Sequence, residues 1–160
     1  MSLTIRPARP DDAATIFRLV RALAEYEKLT HEHVSTQEML AEALFCENPS
    51  VFCDIAEWDG EPAGFAMWLL NFSSFRGKHG IYLEDLFVDP RHRGKGIGKA
   101  LLVHLAKICE ARGYARLQWA VLDWNTPSIE FYKSLGAVML DDWTLCRVSG
   151  DALKKLAGRA

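Results

Sequence analysis

The sequence contains no C-x-x-C pair and no apolar run long enough to cross a bilayer. Its four cysteines are scattered among apolar neighbours, which is typical of reduced thiols that pack like small hydrophobic side chains. The N-terminal segment becomes charged before the core of a signal peptide could form. We therefore expect a soluble, cytoplasmic protein.

An excess of charge of either sign is also missing. The 19 Lys and Arg residues against 21 Asp and Glu residues give a net charge of −2, so the chain lacks the overall basic character of a nucleic-acid-binding protein. Internal repeats and low-complexity segments are absent, and 160 residues suit one hydrophobic core. We expect a single domain over residues 1–160.

Hydrophobic periodicity predicts an α/β fold. The Asp59-Gly60 pair between two β-rich runs indicates an antiparallel hairpin, and Ser35-x-x-Glu38 matches a helical capping box. Strands are expected at 3–6, 51–58, 63–72, 81–88, 116–121, 138–140 and 144–148, and helices at 10–24, 38–44, 97–112, 126–135 and 151–156. The order predicts a mixed, mainly antiparallel sheet with flanking helices and a central parallel βαβ step, which is the natural place for a ligand.

A glycine-rich basic loop, RHRGKGIGK, lies between the strand at 81–88 and the helix at 97–112. Glycines leave backbone N–H groups exposed at a helix N-terminus, where the helix dipole favours a phosphate or pyrophosphate. The loop does not match a Walker A motif, because Ala100 follows Gly98-Lys99 and Arg93 occupies the position of the first glycine. It also lacks the last glycine of the dinucleotide-binding motif G-x-G-x-x-G.

The spacing Arg91-x-x-Gly94-x-Gly96 resembles the pyrophosphate loop of the GNAT superfamily of N-acetyltransferases. The resemblance is to the diamine acetyltransferases, including their thialysine N-epsilon-acetyltransferase branch, and it extends over nearly the whole chain. It is carried by the segments IRPA, LAEYE, GFAMW, YLEDLFV, RGKGIG, AVLDWN and PSIEFYKSLGA. This resemblance implies the GNAT fold, a homodimer and acetyl-CoA as cosubstrate.

In such enzymes the strand before the loop holds the pantetheine arm and the glycine loop holds the pyrophosphate. The main-chain N–H near Val88 would stabilise the oxyanion that forms when the thioester is attacked. The acetyl-CoA contacts that the resemblance implies are Leu86, Phe87, Val88, Arg93, Gly94, Lys95, Gly96, Ile97, Gly98, Asn125 and Ser128.

The resemblance also implies the residues that carry the chemistry. An amine with a pKa of about 10.4 must lose a proton before it attacks a thioester. Glu84 is expected to bind the amine and remove that proton through water, and Tyr132 is expected to protonate the CoA thiolate. In a regular strand Asp85 would point to the opposite face from Glu84. Tyr26 and Glu27 match positions that line the acceptor site, and the reaction needs no metal.

The acceptor is expected to be the primary amine of a small lysine-like amino acid of the thialysine type, or a diamine. The loop NFSSFRG has serines where the polyamine branch places an additional acid, and fewer carboxylates should weaken binding of a polyamine. A spermidine/spermine N-acetyltransferase, a protein or peptide N-acetyltransferase and a non-catalytic CoA-binding module remain as alternatives.

Overall fold

The computed structural model describes residues 1–159, which divide into two compact units, the first ending at Leu122 and the second beginning at Asp123. The first unit consists of β1 (Leu3–Pro7), α1 (Ala13–Tyr26), α2 (Gln37–Phe45), β2 (Phe52–Trp58), β3 (Glu61–Ser73), β4 (Lys78–Val88), α3 (Ile97–Arg112) and β5 (Leu117–Trp119). The second contains α4 (Thr126–Ser134) and α5 (Gly150–Leu156). Within the described residues, no helix is both long enough and apolar enough to span a bilayer.

The sheet of the first unit has the strand order β1-β2-β3-β4-β5. Its first four strands are antiparallel neighbours, and β5 pairs with β4 in parallel after the α3 crossover. The mixed sheet, its antiparallel majority and its βαβ step are therefore confirmed. In residues 1–159 the parallel pair forms one edge of the sheet.

The turn between β2 and β3 follows from its sequence. Asp59 and Gly60 both have positive φ angles, 51° and 83°, as a two-residue type I′ hairpin turn requires. Pro62 lies within β3, where the register with β2 shifts next to Glu57. A strand tolerates proline at such an irregularity because the missing N–H removes no regular ladder hydrogen bond.

The main core lies between one face of the sheet and the helices α1 and α2. Its side chains recur at helical spacing on α1 and at alternate positions on the strands. They are Ile16, Leu19, Leu23, Leu44, Cys53, Ile55, Phe65, Met67 and Phe87. Full burial of each large apolar side chain stabilises the fold by about 1.5–3 kcal/mol. Helix α3 packs on the opposite face, where Leu101 and Leu105 are fully buried.

The capping residues of two helices differ from the prediction by one position. Thr36, and not Ser35, caps α2, because its extended backbone lets its hydroxyl accept a hydrogen bond from the Met39 N–H at 3.2 Å. In α4 the position of Thr126 before Pro127 predicts Thr126 as the cap, but Asn125 takes this role by accepting a hydrogen bond from the Ser128 N–H at 3.3 Å.

The strands predicted at 138–140 and 144–148 are wrong. In the described part of the second unit neither segment is a strand, and Val138 and Leu145 are 78% and 80% exposed. A β-rich composition forms a strand only where a ladder partner and a buried face are available. Burial of the cysteines is confirmed for Cys53 and Cys109, whereas Cys46 and Cys146 are exposed.

Candidate active site

The second half of β4 has one free edge. Strand β5 pairs with β4 only from Ile81 to Leu83. Over the next five residues, Glu84–Val88, β4 has β3 on one side, to which it pairs from Asp85 onward, and no strand neighbour among residues 1–159 on the other. An open strand edge of this kind offers backbone donors and acceptors to an extended ligand that contains amide groups.

The glycine loop directly follows this open stretch. Gly94 and Gly96 both have a φ of +77°, in the left-handed region that glycine adopts without strain. A Cβ atom built on either glycine would meet no atom within 4 Å, so the loop is open on that side. Gly96 is the N-cap of the 16-residue helix α3 and has no side chain to bond the first helical N–H groups. These donors and the helix dipole make the loop suitable for an anion.

A buried carboxylate organises the entry to the loop. Asp89 accepts hydrogen bonds from the Arg91 main-chain N–H at 3.0 Å and from its guanidinium at 2.9 Å, and it lies 3.4 Å from Arg18 Nη1. These contacts hold the pKa of Asp89 well below its ordinary value, chiefly through the Arg91 side chain. The Arg91 charge is therefore paired, and Arg93, Lys95 and Lys99 are the other cations of the loop.

Arg93 and Lys95 are held against aromatic rings. The Arg93 guanidinium lies 5.0 Å from the centroid of Tyr26 and 5.5 Å from that of Phe87, and its Nε donates to the Val88 carbonyl at 3.1 Å. Lys95 Nζ lies 4.8 Å from the Trp58 centroid. Such contacts are attractive because the ring face carries negative charge. The structure thus brings Tyr26 next to the loop, although the two are more than sixty positions apart.

The acidic residues of β4 lie at a β-bulge. The pairing with β3 passes from Met67 opposite Asp85 to Trp68 opposite Leu83, which leaves Glu84 as the extra residue. The regular alternation assumed from the sequence therefore does not hold at Glu84, because a bulge re-aims the side chains around it. Glu84 is exposed and Asp85 is partly buried.

Asp85 has a strongly raised pKa. Burial raises its pKa to about 7, and the negative charges of Glu84 and Glu27 act in the same direction. Burial also raises the pKa of Glu27, which follows the last residue of α1. Glu27, Glu84 and Asp85, here called the carboxylate cluster, suit a cationic ligand because each can pair with an ammonium group. The sequence analysis left Asp85 out of the site, and the only signal for it was its place beside Glu84.

The residues of β4 and α3 that are predicted to contact acetyl-CoA differ in side-chain exposure. The side chains of Phe87 and Ile97 are 4% and 1% exposed and pack in the interior. Only their main-chain groups can therefore meet a ligand. Leu86, Val88 and Gly98 are partly buried, and a Cβ atom built on Gly98 would lie 3.7 Å from Val88 Cγ2, an ordinary van der Waals contact.

The remaining predicted residues lie on α4, in the second unit. Asn125 is buried at the start of this helix, and its side chain bonds the Ser128 N–H. Ser128 and Tyr132 are four positions apart and share a face of α4. The Tyr132 ring is partly buried and packs beside Phe131, with ring centroids 5.5 Å apart.

Comparison with known proteins defines the class of this chain. The sequence pattern of the Acetyltransferase (GNAT) family matches residues 18–137. The chain therefore belongs to this family and is an N-acetyltransferase. Enzymes with this fold use acetyl-CoA as cosubstrate.

Individual relatives extend over almost the full chain. It is 38% identical to the thialysine N-epsilon-acetyltransferase of Bos taurus, over 97% of each protein. It is 33% identical to the L-ornithine N5-acetyltransferase NATA1 of Arabidopsis thaliana, over 95% of this chain and 86% of that protein. An integron cassette protein from the mobile metagenome of V. cholerae has a similar structure, with a TM-score of 0.82, 30% identity and 98% coverage of both chains.

The residues present fit acetyl-CoA. The open edge of β4 can pair with the amide groups of a pantetheine arm, and the open, basic glycine loop can hold a pyrophosphate. In residues 1–159 no three His, Cys, Asp or Glu side chains are placed so that together they could hold a metal ion.

Proposed function

We propose that this enzyme transfers an acetyl group from acetyl-CoA directly to the side-chain amine of a small lysine-like amino acid of the thialysine type. The observation that carries the proposal is the carboxylate cluster at the bulge of β4, where the open strand edge begins. The two relatives described above support it, because both are named for amino acids with a side-chain amine.

The chain has separate elements for the two substrates. The main chain of Leu86–Val88 would hold the pantetheine arm, and residues 93–98 would hold the pyrophosphate, with Asn125 and Ser128 as further contacts. When bound, the cosubstrate supplies the thioester whose acetyl group is transferred. Tyr26 and Glu27 line the side from which the amine approaches, and the main-chain N–H near Val88 stabilises negative charge on the reacting carbonyl.

The carboxylate cluster prepares the amine for attack. Glu84 is exposed and attracts the ammonium group, and it accepts the proton through water, as the sequence predicts. Asp85 adds a second proton acceptor that is better matched to neutral solution, because a carboxyl group with a pKa of about 7 is about half ionised there and binds a proton more tightly than an ordinary carboxylate. Whichever carboxyl takes the proton, the charge of its neighbours favours that protonation.

Tyr132 completes the reaction as the general acid. Its phenolic proton is available to the departing thiolate, because the pKa values of a phenol and a thiol are within about two units of each other. This assignment rests on the match of NTPSIEFYK to the family's motif and on the position of Tyr132 on the same face of α4 as Ser128.

A spermidine or spermine acceptor is the second candidate, because a cluster of three carboxylates can also hold a chain with several ammonium groups. The serines of NFSSFRG and the names of the two relatives favour the amino acid. A homodimer, a cytoplasmic location and a single domain over residues 1–160 also belong to this proposal and are supported by the family resemblance and the sequence.

The test is thiol release from acetyl-CoA with thialysine as acceptor, in the parent enzyme and in Tyr132→Phe and Glu84→Gln. We expect kcat to fall about 10²-fold in Tyr132→Phe, the loss typical for one acid–base group, while acetyl-CoA affinity is kept. Tyr114→Phe is the matched control, because Tyr114 contacts Arg112 and lies outside the proposed site. An unchanged kcat in Tyr132→Phe would remove the general acid from the proposal.

A further inference from the structure

The carboxylate cluster can bind the side-chain amine of the acceptor but not the opposite end of the molecule. A lysine-like amino acid also carries an α-carboxylate, which is bound best by a cation that donates hydrogen bonds. The glycine loop supplies cations beside the acceptor side. The Arg93 guanidinium lies 5.0 Å from the ring centroid of Tyr26, one of the two residues proposed to line that side.

The guanidinium of Arg93 is fixed in place and keeps donors for a ligand. Its Nε donates to the Val88 carbonyl at 3.1 Å, and its central carbon lies 5.5 Å from the Phe87 centroid. Within residues 1–159 this is its one hydrogen bond, and no carboxylate forms an ion pair with it. The edge formed by Nη1 and Nη2 can therefore donate two parallel hydrogen bonds to a single carboxylate.

Two other cations of the loop have different surroundings. Arg91 is paired with a buried carboxylate at 2.9 Å. Lys95 Nζ lies over the Trp58 ring, 4.8 Å from its centroid. Neither is recorded against an acceptor residue in the described part of the chain, so Arg93 differs from both in facing the amine side.

We propose that Arg93 binds the α-carboxylate of the acceptor, an inference that rests on the proposed transfer to a lysine-like amino acid. The two ends of the acceptor then have partners of opposite charge. The α-carboxylate lies at the Nη edge of Arg93, and the side-chain ammonium group lies at the carboxylate cluster. Arg93 takes no part in proton transfer and acts as a specificity-determining residue.

The spacing along β4 suits an acceptor of this length. Val88, which holds Arg93, is three residues beyond Asp85, so their Cα atoms are about 10 Å apart at about 3.3 Å per strand residue. An extended lysine-like chain spans about 8 Å from its carboxylate to its side-chain nitrogen, at about 1.5 Å per bond. The end of α1 faces the same part of β4, because the Glu27 charge acts on Asp85.

The same guanidinium disfavours an acceptor with an ammonium group at each end. A diamine that binds the carboxylate cluster through one ammonium group would bring the other toward Arg93, where like charges repel each other. An amino acid meets a complementary charge at both ends. Arg93 therefore selects an amino acid over a diamine or a polyamine.

The test is an internal competition between thialysine and its α-carboxamide at equal concentration, with limiting acetyl-CoA. The amide keeps the chain, the side-chain amine and the α-amine but has no carboxylate charge. Products acetylated on the side-chain amine are quantified by mass spectrometry at low conversion, and their ratio is the ratio of the two kcat/KM values. An effect of Arg93 on acetyl-CoA binding cancels in this ratio, because both amines compete for the same enzyme and cosubstrate.

We expect the parent enzyme to favour thialysine about tenfold, because the amide loses a charge-assisted, bidentate contact. In Arg93→Ala the ratio should fall to about one, and in Arg93→Glu the amide should be favoured. Lys95→Ala is the matched control, because it removes a cation of the same loop that faces Trp58. This variant should bind acetyl-CoA more weakly and keep the tenfold preference.

A second measurement needs no variant, and so covers the case in which the Arg93 variants give no product. The Arg93 side chain is exposed, so its ion pair with the acceptor is screened by salt. The preference of the parent enzyme for thialysine should decrease as NaCl is raised from about 0.01 M to about 1 M, over which the Debye length falls from about 30 Å to about 3 Å. A preference that does not respond to salt would overturn the ion pair.

The outcomes separate this inference from the proposed function. Equal acetylation of thialysine and its amide by the parent enzyme, or a tenfold preference that survives in Arg93→Ala, would overturn the role of Arg93 and leave the proposed acetyl transfer standing. Acetylation of neither compound by the parent enzyme would contradict the proposed function itself, and the inference would fall with it.

Discussion

The Arg93 guanidinium lies over the Tyr26 ring, 5.0 Å from its centroid, and so joins the glycine loop to the end of α1. The same side chain donates to the Val88 carbonyl at the end of the open β4 edge. One cation therefore touches residues that we assign to both substrates. Lys95 belongs to the same loop but contacts Trp58 instead.

Replacement of these two cations should have different kinetic effects. Arg93→Ala should raise the KM for acetyl-CoA and for the amino-acid acceptor, each about tenfold, because a charge-assisted contact is lost on both sides. Lys95→Ala should raise the KM for acetyl-CoA only. Both constants come from initial rates with one substrate varied at a time, and an acceptor KM unaffected in Arg93→Ala would contradict the bridging role.

The pKa of Asp85 predicts the pH dependence of the reaction. A base with a pKa of about 7 is protonated below that pH and cannot accept a proton, so kcat/KM should fall as the pH decreases below about 7. In Asp85→Asn this limb should disappear and kcat should fall about 10²-fold. The exposed Asp11→Asn variant is the control. If the limb survives in Asp85→Asn and is lost in Glu84→Gln, Glu84 is the base.

The Asp85 carboxylate should destabilise the folded state in basic solution. The folded-state pKa of Asp85 is above its ordinary value of 3.8, so the folded state favours the protonated form. The stability linked to that proton is fully present below about pH 4 and is lost as the pH rises through about 7. Asp85→Asn should therefore have a higher Tm than the parent at about pH 8, and the difference should shrink toward pH 4. A lower Tm at both pH values in thermal unfolding would count against the burial of this acid.

Two glycines with similar backbone angles provide a matched pair. Gly96 in the loop and Gly60 in the β2–β3 turn have φ angles of +77° and +83°, and a Cβ on either meets no atom within 4 Å. Each change to Ala should cost about 1–2 kcal/mol in the free energy of unfolding because of the left-handed backbone. Only Gly96→Ala should weaken CoA binding, about tenfold in a calorimetric titration. Equal CoA affinity in the two variants would place the pyrophosphate elsewhere.

Local sequence patterns correctly predicted the turns and helix starts that depend only on residues adjacent in the sequence. The Asp59-Gly60 turn needs two residues that accept positive φ, and both are adjacent in the sequence. Gly96 and the helix that follows it are defined in the same way, by a flexible residue before a helical hydrophobic pattern. These features do not depend on distant partners, so one sequence is sufficient to place them.

Features that depend on residues distant in the sequence could not be predicted from local sequence patterns. The bulge at Glu84 arises from the register of β4 against Met67 and Trp68, and the Glu27 charge that acts on Asp85 comes from a residue far away in the sequence. The side-chain burial of Phe87 and Ile97, which limits them to main-chain contacts, is likewise set by tertiary packing. The segments at 138–140 and 144–148 have strand-like composition, but composition does not supply a ladder partner.

The most direct test of the account is a competition assay. Thialysine, lysine and spermidine are mixed at equal concentration with limiting acetyl-CoA, and the products are separated and identified by mass spectrometry. The account predicts that thialysine acetylated on its side-chain amine is the main product. Acetylspermidine as the main product would contradict the proposed acceptor, and acetyl-CoA left unconsumed with all three amines would contradict the proposed acceptor class as a whole.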